Sequence, residues 1–403
     1  MTEWAARPGV RRALTVLALV IGSVLGAGVL VAGGILVREG AVHDVVDGTG
    51  LVAYPVQDEL RETGAIAFAP NGELIVAQLD GTIDVFESGD AGAQRLATST
   101  LSGVRQNGAS GLLGLALDRD FATNRHLYAC ASRDVDGQPR TNQLLRLTAA
   151  ADWAITVDVV IADLARAQPD RNGCGVAVDA AGNVIVGVGD ARDPRTVFSP
   201  RHTLLGKVLQ IPVDSARSVV EPLRERKARR YIVATGLRDP RVIVPGPGGD
   251  PLYLADGGPD GIDEVDELIL DADYGWPCLA ALEPSDAPQA SGETWQRRCA
   301  ETQATRRPPD WSTAADRRIG IEGLAFLSAE RFGSWDGALM LSAASAGELV
   351  LLEPSGDGFV EVDALFDRWS WRPGPMAVGP EGDLFVAVTT GGPRQIMRIG
   401  PSD

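Results

Sequence analysis

GVAVDAAGNVIVGVGD, residues 175–190, alternates apolar and small residues on both sides of a polar Asp-Ala-Ala-Gly-Asn turn. Successive side chains of a strand point to opposite faces, so this pattern specifies an antiparallel hairpin with one face buried. The same plan recurs as GAIAFAPNGELIVAQ from Gly64, GLLGLALDRDFATNRHLYACAS from Gly111, GLAFLSAERFGSWDGALMLSA from Gly323 and MAVGPEGDLFVAV from Met376. YIVATGLRDPRVI from Tyr231, followed by PLYLADGG from Pro251, fits the same slot and brings the number of units to six. Units of about 60 residues predict an all-β chain folded as a six-bladed β-propeller over residues 60–403, with long loops projecting from one face. A pair of β-sandwiches, the main alternative, leaves the recurring glycine and turn unexplained.

The first residues are a different material. After Arg7, Arg11 and Arg12 comes an uncharged run from Ala13 to Val37, closed by Arg38 and Glu39. At ~1.5 Å per residue, a helix of that length crosses the ~30 Å hydrocarbon layer of a bilayer. The reading is one N-terminal transmembrane helix at 13–37, a cytoplasmic tail at 1–12 and a linker at 38–59. The excess of arginine before the run places the amino end in the cytoplasm and the propeller in the periplasm or extracellular space, anchored in the cytoplasmic (inner) membrane. A cleaved secretory signal is the competing reading, although its apolar core is usually only ~7–15 residues. Gly22 and Gly26 form a GxxxG pattern, which permits close approach of another membrane helix.

With 54 acidic against 37 basic residues, the chain carries a formal charge of −17. A field of that sign repels phosphate backbones, so nucleic acid is excluded as a partner. The four cysteines suit an oxidising compartment. Cys278 and Cys299 flank a polar stretch and read as a loop staple. Cys130 and Cys174 fall in neighbouring units, where they either pair or serve as buried thiols. The three histidines, His43, His126 and His202, form no metal motif, and neither a Gly-x-Ser-x-Gly elbow nor a P-loop is present.

Several segments go beyond generic propeller grammar. GLLGLALDRDFATNRHLY from Gly111, LLGKVLQI from Leu204, ATGLRDPRV from Ala234, GGPDGIDEVDELILDADYGWPC from Gly257 and GLAFLSAERFGSWDGALML from Gly323 occur in this order. Together they resemble the soluble aldose sugar dehydrogenases, the glucose/sorbosone dehydrogenase family, which use pyrroloquinoline quinone (PQQ). The resemblance implies a quinone on the propeller's top face, a calcium ion polarising the carbonyl that accepts hydride, and a histidine that removes the sugar hydroxyl proton. It also implies calcium ligands at the backbone of a Gly-Pro pair, matched here by Gly258 and Pro259.

At the histidine position this chain has Arg171, a permanent cation with no acceptor, which cannot act as a general base. Asp170 beside it is retained and is the one substitute base that the resemblance offers. Arg238, Arg372 and Lys207 are the expected grips for a cofactor's carboxylates. The family's cofactor lysine falls at Ser345, its second arginine at Gly374, its substrate-site glutamine at Ala109 and its usual asparagine at Asp239. Losing charge-assisted contacts worth roughly 1.5–3 kcal/mol each weakens the hold on a tricarboxylate. The expectation is therefore a non-catalytic propeller serving as an accessory or binding subunit of an integral membrane protein complex, with a sugar or other small molecule as its possible ligand. A divergent PQQ- and calcium-dependent aldose dehydrogenase feeding the respiratory chain is the alternative.

Overall fold

The computed structural model describes residues 49–401 apart from 135–139, 194–201, 213–221, 259–260, 279–296, 298, 301–305, 315–316 and 367–369. The expected membrane segment, residues 13–37, lies outside the described residues, as does Pro259. No helix among the described residues is long and apolar enough to cross a membrane.

The chain folds as a six-bladed propeller. Blade 1 contains β2 (Thr63–Phe68), β3 (Leu74–Gln78), β4 (Thr82–Phe86) and β5 (Arg95–Thr100). Blade 2 contains β6 (Leu112–Leu117), β7 (His126–Arg133), β8 (Thr141–Ala149) and β9 (Ile155–Arg166). Blade 3 contains β10 (Gly173–Val178), β11 (Asn183–Val188), β12 (Lys207–Pro212) and β13 (Ile232–Thr235), extended by the short parallel strand β17 (Ala272–Asp273). Blade 4 contains β14 (Pro240–Pro245), β15 (Leu252–Gly257), β16 (Asp263–Glu267) and β18 (Trp311–Ser312). Blade 5 contains β19 (Ile321–Phe326), β20 (Leu339–Ala343), β21 (Glu348–Ser355) and β22 (Gly358–Leu365).

Blade 6 combines β23 (Arg372–Val378), β24 (Leu384–Thr389) and β25 (Arg394–Pro401) with β1 (Leu51–Leu60), the first strand of the chain. Leu51 pairs with Pro401 and Leu60 with Arg394, so the first and last described strands close the ring in one sheet. The linker expected at 38–59 is therefore too long, since its residues from Leu51 onward belong to the propeller. Their alternating burial, with Leu51, Ala53 and Val56 inside, supplies the physical reason.

Each seam between neighbouring blades holds one apolar cluster, and the six clusters together form the core. Neighbouring inner strands come very close. A Cβ on Gly64 would strike the carbonyl oxygen of Leu112 in blade 2, and one on Gly114 would strike that of Cys174 in blade 3. The glycine near the start of these units thus answers a steric demand from the next blade. Cys130 on β7 is bonded to Cys174 on β10, a covalent link between blades 2 and 3, and Cys278 is bonded to Cys299.

Candidate functional site

In every blade the innermost strand slips register against its neighbour near its first residues. Such bulges bend a strand and re-aim its side chains. Repeated around the axis, they open a cavity of about 280 Å³ to which every blade contributes, through Thr63, Leu113, Gly173, Arg241, Glu322 and Arg372.

Charge dominates this cavity. Arg171, Arg241, Arg372 and Arg394 line it together with Glu62, Asp239 and Glu322. Arg241 bridges Asp239 and Glu322, its NH1 donating to Glu322 Oε1 at 2.7 Å, and Asp239 is the main cause that holds the guanidinium charged. Arg394 lies 3.3 Å from Glu62, which also accepts a hydrogen bond from Gln106. Arg372 is exposed to the cavity and has no ion-pair partner among the described residues.

Arg171 takes a left-handed backbone (φ 53°), and its guanidinium lies 3.6 Å from Asp190. Asp190 is fully buried and accepts hydrogen bonds from Trp276 Nε1 at 3.1 Å and from the Arg192 amide at 2.9 Å. Burial pushes its carboxyl up to about 6, against the pull of the Arg171 cation. Asp170 points elsewhere: it forms a two-point ion pair with Arg192 and is not part of the cavity lining.

Other expected site residues also fall away from the cavity. Lys207, expected to hold a cofactor, is buried at the start of β12, where its Nζ donates to the Leu205 carbonyl at 2.9 Å. That burial lowers its pKa to about 8, with Asp273 opposing. The Arg238 guanidinium donates to the carbonyls of Gly257 and Gly258, at 2.8 and 2.7 Å, while its backbone amide is held by Asp256. Neither residue lines the cavity. Each side chain is spent on backbone carbonyls, which takes it out of reach of the cavity. Ala109 and Gly374 do line the cavity, but at the third substituted place Ala344 does so in preference to Ser345.

The residues that sequence reasoning missed are Asp190, Arg241, Arg394, Glu62, Glu322 and Thr389. Only Asp190 carried a local signal, as a carboxylate ending an otherwise apolar strand. Arg394 comes from β25, and its guanidinium lies 3.2 Å from where a Gly374 Cβ would be. A cation from a different strand therefore stands beside the position where the resemblance expects an arginine.

The glucose/sorbosone dehydrogenase family model matches residues 60–398. The chain belongs to that family. It is 23% identical over 358 residues to aldose sugar dehydrogenase YliI of Escherichia coli strain K12, a match covering 86% of this chain and 92% of that protein. The structure of the soluble aldose sugar dehydrogenase from Escherichia coli in its apo form superposes with a TM-score of 0.70 at 21% identity, covering 87% of this chain and all (100%) of the other. The PQQ-bound aldose sugar dehydrogenase of Streptomyces coelicolor gives a TM-score of 0.63 at 18% identity, covering 87% of this chain and 98% of the other. At these identities the structural matches establish the shared propeller.

The residues present do not fit the family's quinone and calcium. The Gly258 carbonyl that calcium would use already accepts from a guanidinium, and a permanent cation there repels a divalent one. Three of the cavity's four guanidiniums are already faced by carboxylates. Glu62, Asp239 and Glu322 would also turn negative charge toward a tricarboxylate.

Proposed function

We propose that this chain is a family member without dehydrogenase chemistry, acting as a membrane-anchored, extracytoplasmic binding or accessory subunit of a membrane protein complex. The observation that carries this reading is Arg171. It occupies the place of the family's base and is tied to Asp190, while Asp170, the neighbouring candidate, is tied to Arg192. Each carboxylate of the cavity wall also has a guanidinium partner, so no proton acceptor stands ready for a sugar hydroxyl. The apolar run at 13–37 and its glycines support anchoring and docking against other membrane helices. Two disulfides suit a periplasmic or extracellular propeller.

A divergent quinone-dependent dehydrogenase is the second reading. Arg372 favours it, because it stands where the resemblance places a cofactor-binding arginine and faces the cavity. The test is calorimetry of the protein with calcium and PQQ, together with sugar-dependent dye reduction. No quinone binding, and co-purification with a membrane complex in mild detergent, are expected. Quinone binding, together with dye reduction that disappears in Arg372→Gln, would instead establish the enzyme.

A further inference from the structure

Three adjacent strands of blade 6 carry a row of polar side chains into the axial cavity. Arg372 on β23 is paired directly opposite Thr389 on β24. Arg394 on β25 sits one residue beyond the Val388–Gln395 pair, which brings it level with Thr389. All three line the cavity. The Thr389 hydroxyl oxygen is buried and has no hydrogen-bond partner among the described residues. A buried hydroxyl left unpaired costs about 1–3 kcal/mol, so one flanked by two guanidiniums in a cavity is placed to bond a ligand.

We propose that this row binds the carboxylate of a small sugar acid, seated between Arg372 and Arg394 with the Thr389 hydroxyl donating to it. The proposal rests on the reading of the chain as a binding propeller and names its ligand class. Paired guanidiniums suit a carboxylate because their N–H groups can donate to both of its oxygens. Gly374 leaves the Arg394 guanidinium open on that side, since it has no side chain to intervene. The opposite walls set the remainder of the ligand. Glu62 and Glu322 can accept hydrogen bonds from hydroxyls and, with Asp239, repel a second negative charge. A cavity of about 280 Å³ has room for roughly nine waters at ~30 Å³ each, and hence for a ligand of about a dozen non-hydrogen atoms. A monoanionic polyol matches that size and polarity, whereas a neutral sugar leaves Arg372 without a counter-charge.

The test is calorimetric titration of the full-length protein with D-gluconate, D-glucose and citrate, at low and then high salt. Gluconate is expected to bind at least about tenfold more tightly than glucose or citrate, and to weaken as salt rises. Thr389→Val, which keeps the side-chain shape, is expected to weaken gluconate about tenfold. Arg372→Gln is expected to abolish its binding, with melting curves confirming that both variants fold; if Arg372→Gln does not fold, Thr389→Val decides. No gluconate binding, glucose equal to gluconate, or unchanged affinity in the folded variants overturns the proposal. Quinone-dependent dye reduction, measured separately, bears on the absence of dehydrogenase chemistry and leaves these binding results to be judged independently.

Discussion

The Arg171 guanidinium stands 3.6 Å from an oxygen of Asp190 that also accepts, at 3.1 Å, from the indole of Trp276. One cation, one indole and the Arg192 amide thus hold a carboxylate that is fully buried. Removing the cation in Arg171→Ala strands that charge and is expected to cost roughly 3 kcal/mol at neutral pH, read from denaturant midpoints. Adding Asp190→Asn should recover part of the loss. The deficit of the single variant should also shrink as pH falls toward about 6 and be lost below it, where Asp190 is protonated in both proteins. A deficit independent of pH would show that Arg171 acts through packing alone.

A buried acidic face lies in the seam between blades 3 and 4. Glu264 is paired opposite Asp256, and Asp266, opposite Leu254, shares their face with both its carboxylate oxygens unpartnered among the described residues. Burial raises Asp256 to about 7 and Glu264 to about 8, with the carboxylates reinforcing one another. The folded chain then keeps protons that the unfolded chain releases near the ordinary ~4. Stability should therefore fall as pH rises between about 4 and about 8. Glu264→Gln should flatten that slope and stabilise the protein at pH 8 by roughly 2 kcal/mol. Denaturant midpoints across the range check it, and a flat parental profile refutes it.

Gly114→Ala should destabilise by about 3 kcal/mol or more, because its Cβ meets the Cys174 carbonyl of the next blade. Gly182→Ala is the control. Its φ of 84° costs about 1 kcal/mol, and nothing lies within 4 Å of the added methyl. Equal effects in thermal melts would argue against close blade contact as the reason for the repeated glycine.

The two disulfides should contribute unequally. The Cys130–Cys174 bond spans 44 residues and the Cys278–Cys299 bond spans 21, which predicts about 4 and about 3 kcal/mol from loop closure. Paired Cys→Ser variants, compared by chemical denaturation, test that order. Because Cys130 and Cys174 are fully buried, mild reductant should leave this bond intact in the folded protein.

Millimolar calcium should leave the melting temperature unchanged, since ligand stabilisation requires binding to the folded state and Arg238 occupies the Gly258 carbonyl. A clear upward shift, reversed by chelator, would restore calcium to this site.

The hairpins were legible because period-two alternation and turn chemistry act within a dozen or so neighbouring residues, as in Gly175–Asp190. Strand β1 was not, since LVAYPVQDEL contains Pro55 and its sheet partner among the described residues, β25, lies in the last part of the sequence. The site divides in the same way. Arg171 could be placed by its neighbours in sequence, but its partner Asp190 could not, because that contact depends on how the ends of β10 and β11 meet. The partner of Asp170 was hidden for a similar reason, since Arg192 is 22 positions away. Lys207 and Arg238 looked like ligand grips because local sequence does not show which carbonyls a long side chain will find.

The pairing of β1 with β25 also sets a schedule for biogenesis. Strand β1 is among the first propeller segments made, and its partner is the last. At ~5–20 residues per second, the wait between them is on the order of tens of seconds. Throughout that time an apolar strand edge lacks its mate, and unpaired edges of this kind are the part of a nascent chain most open to misassociation.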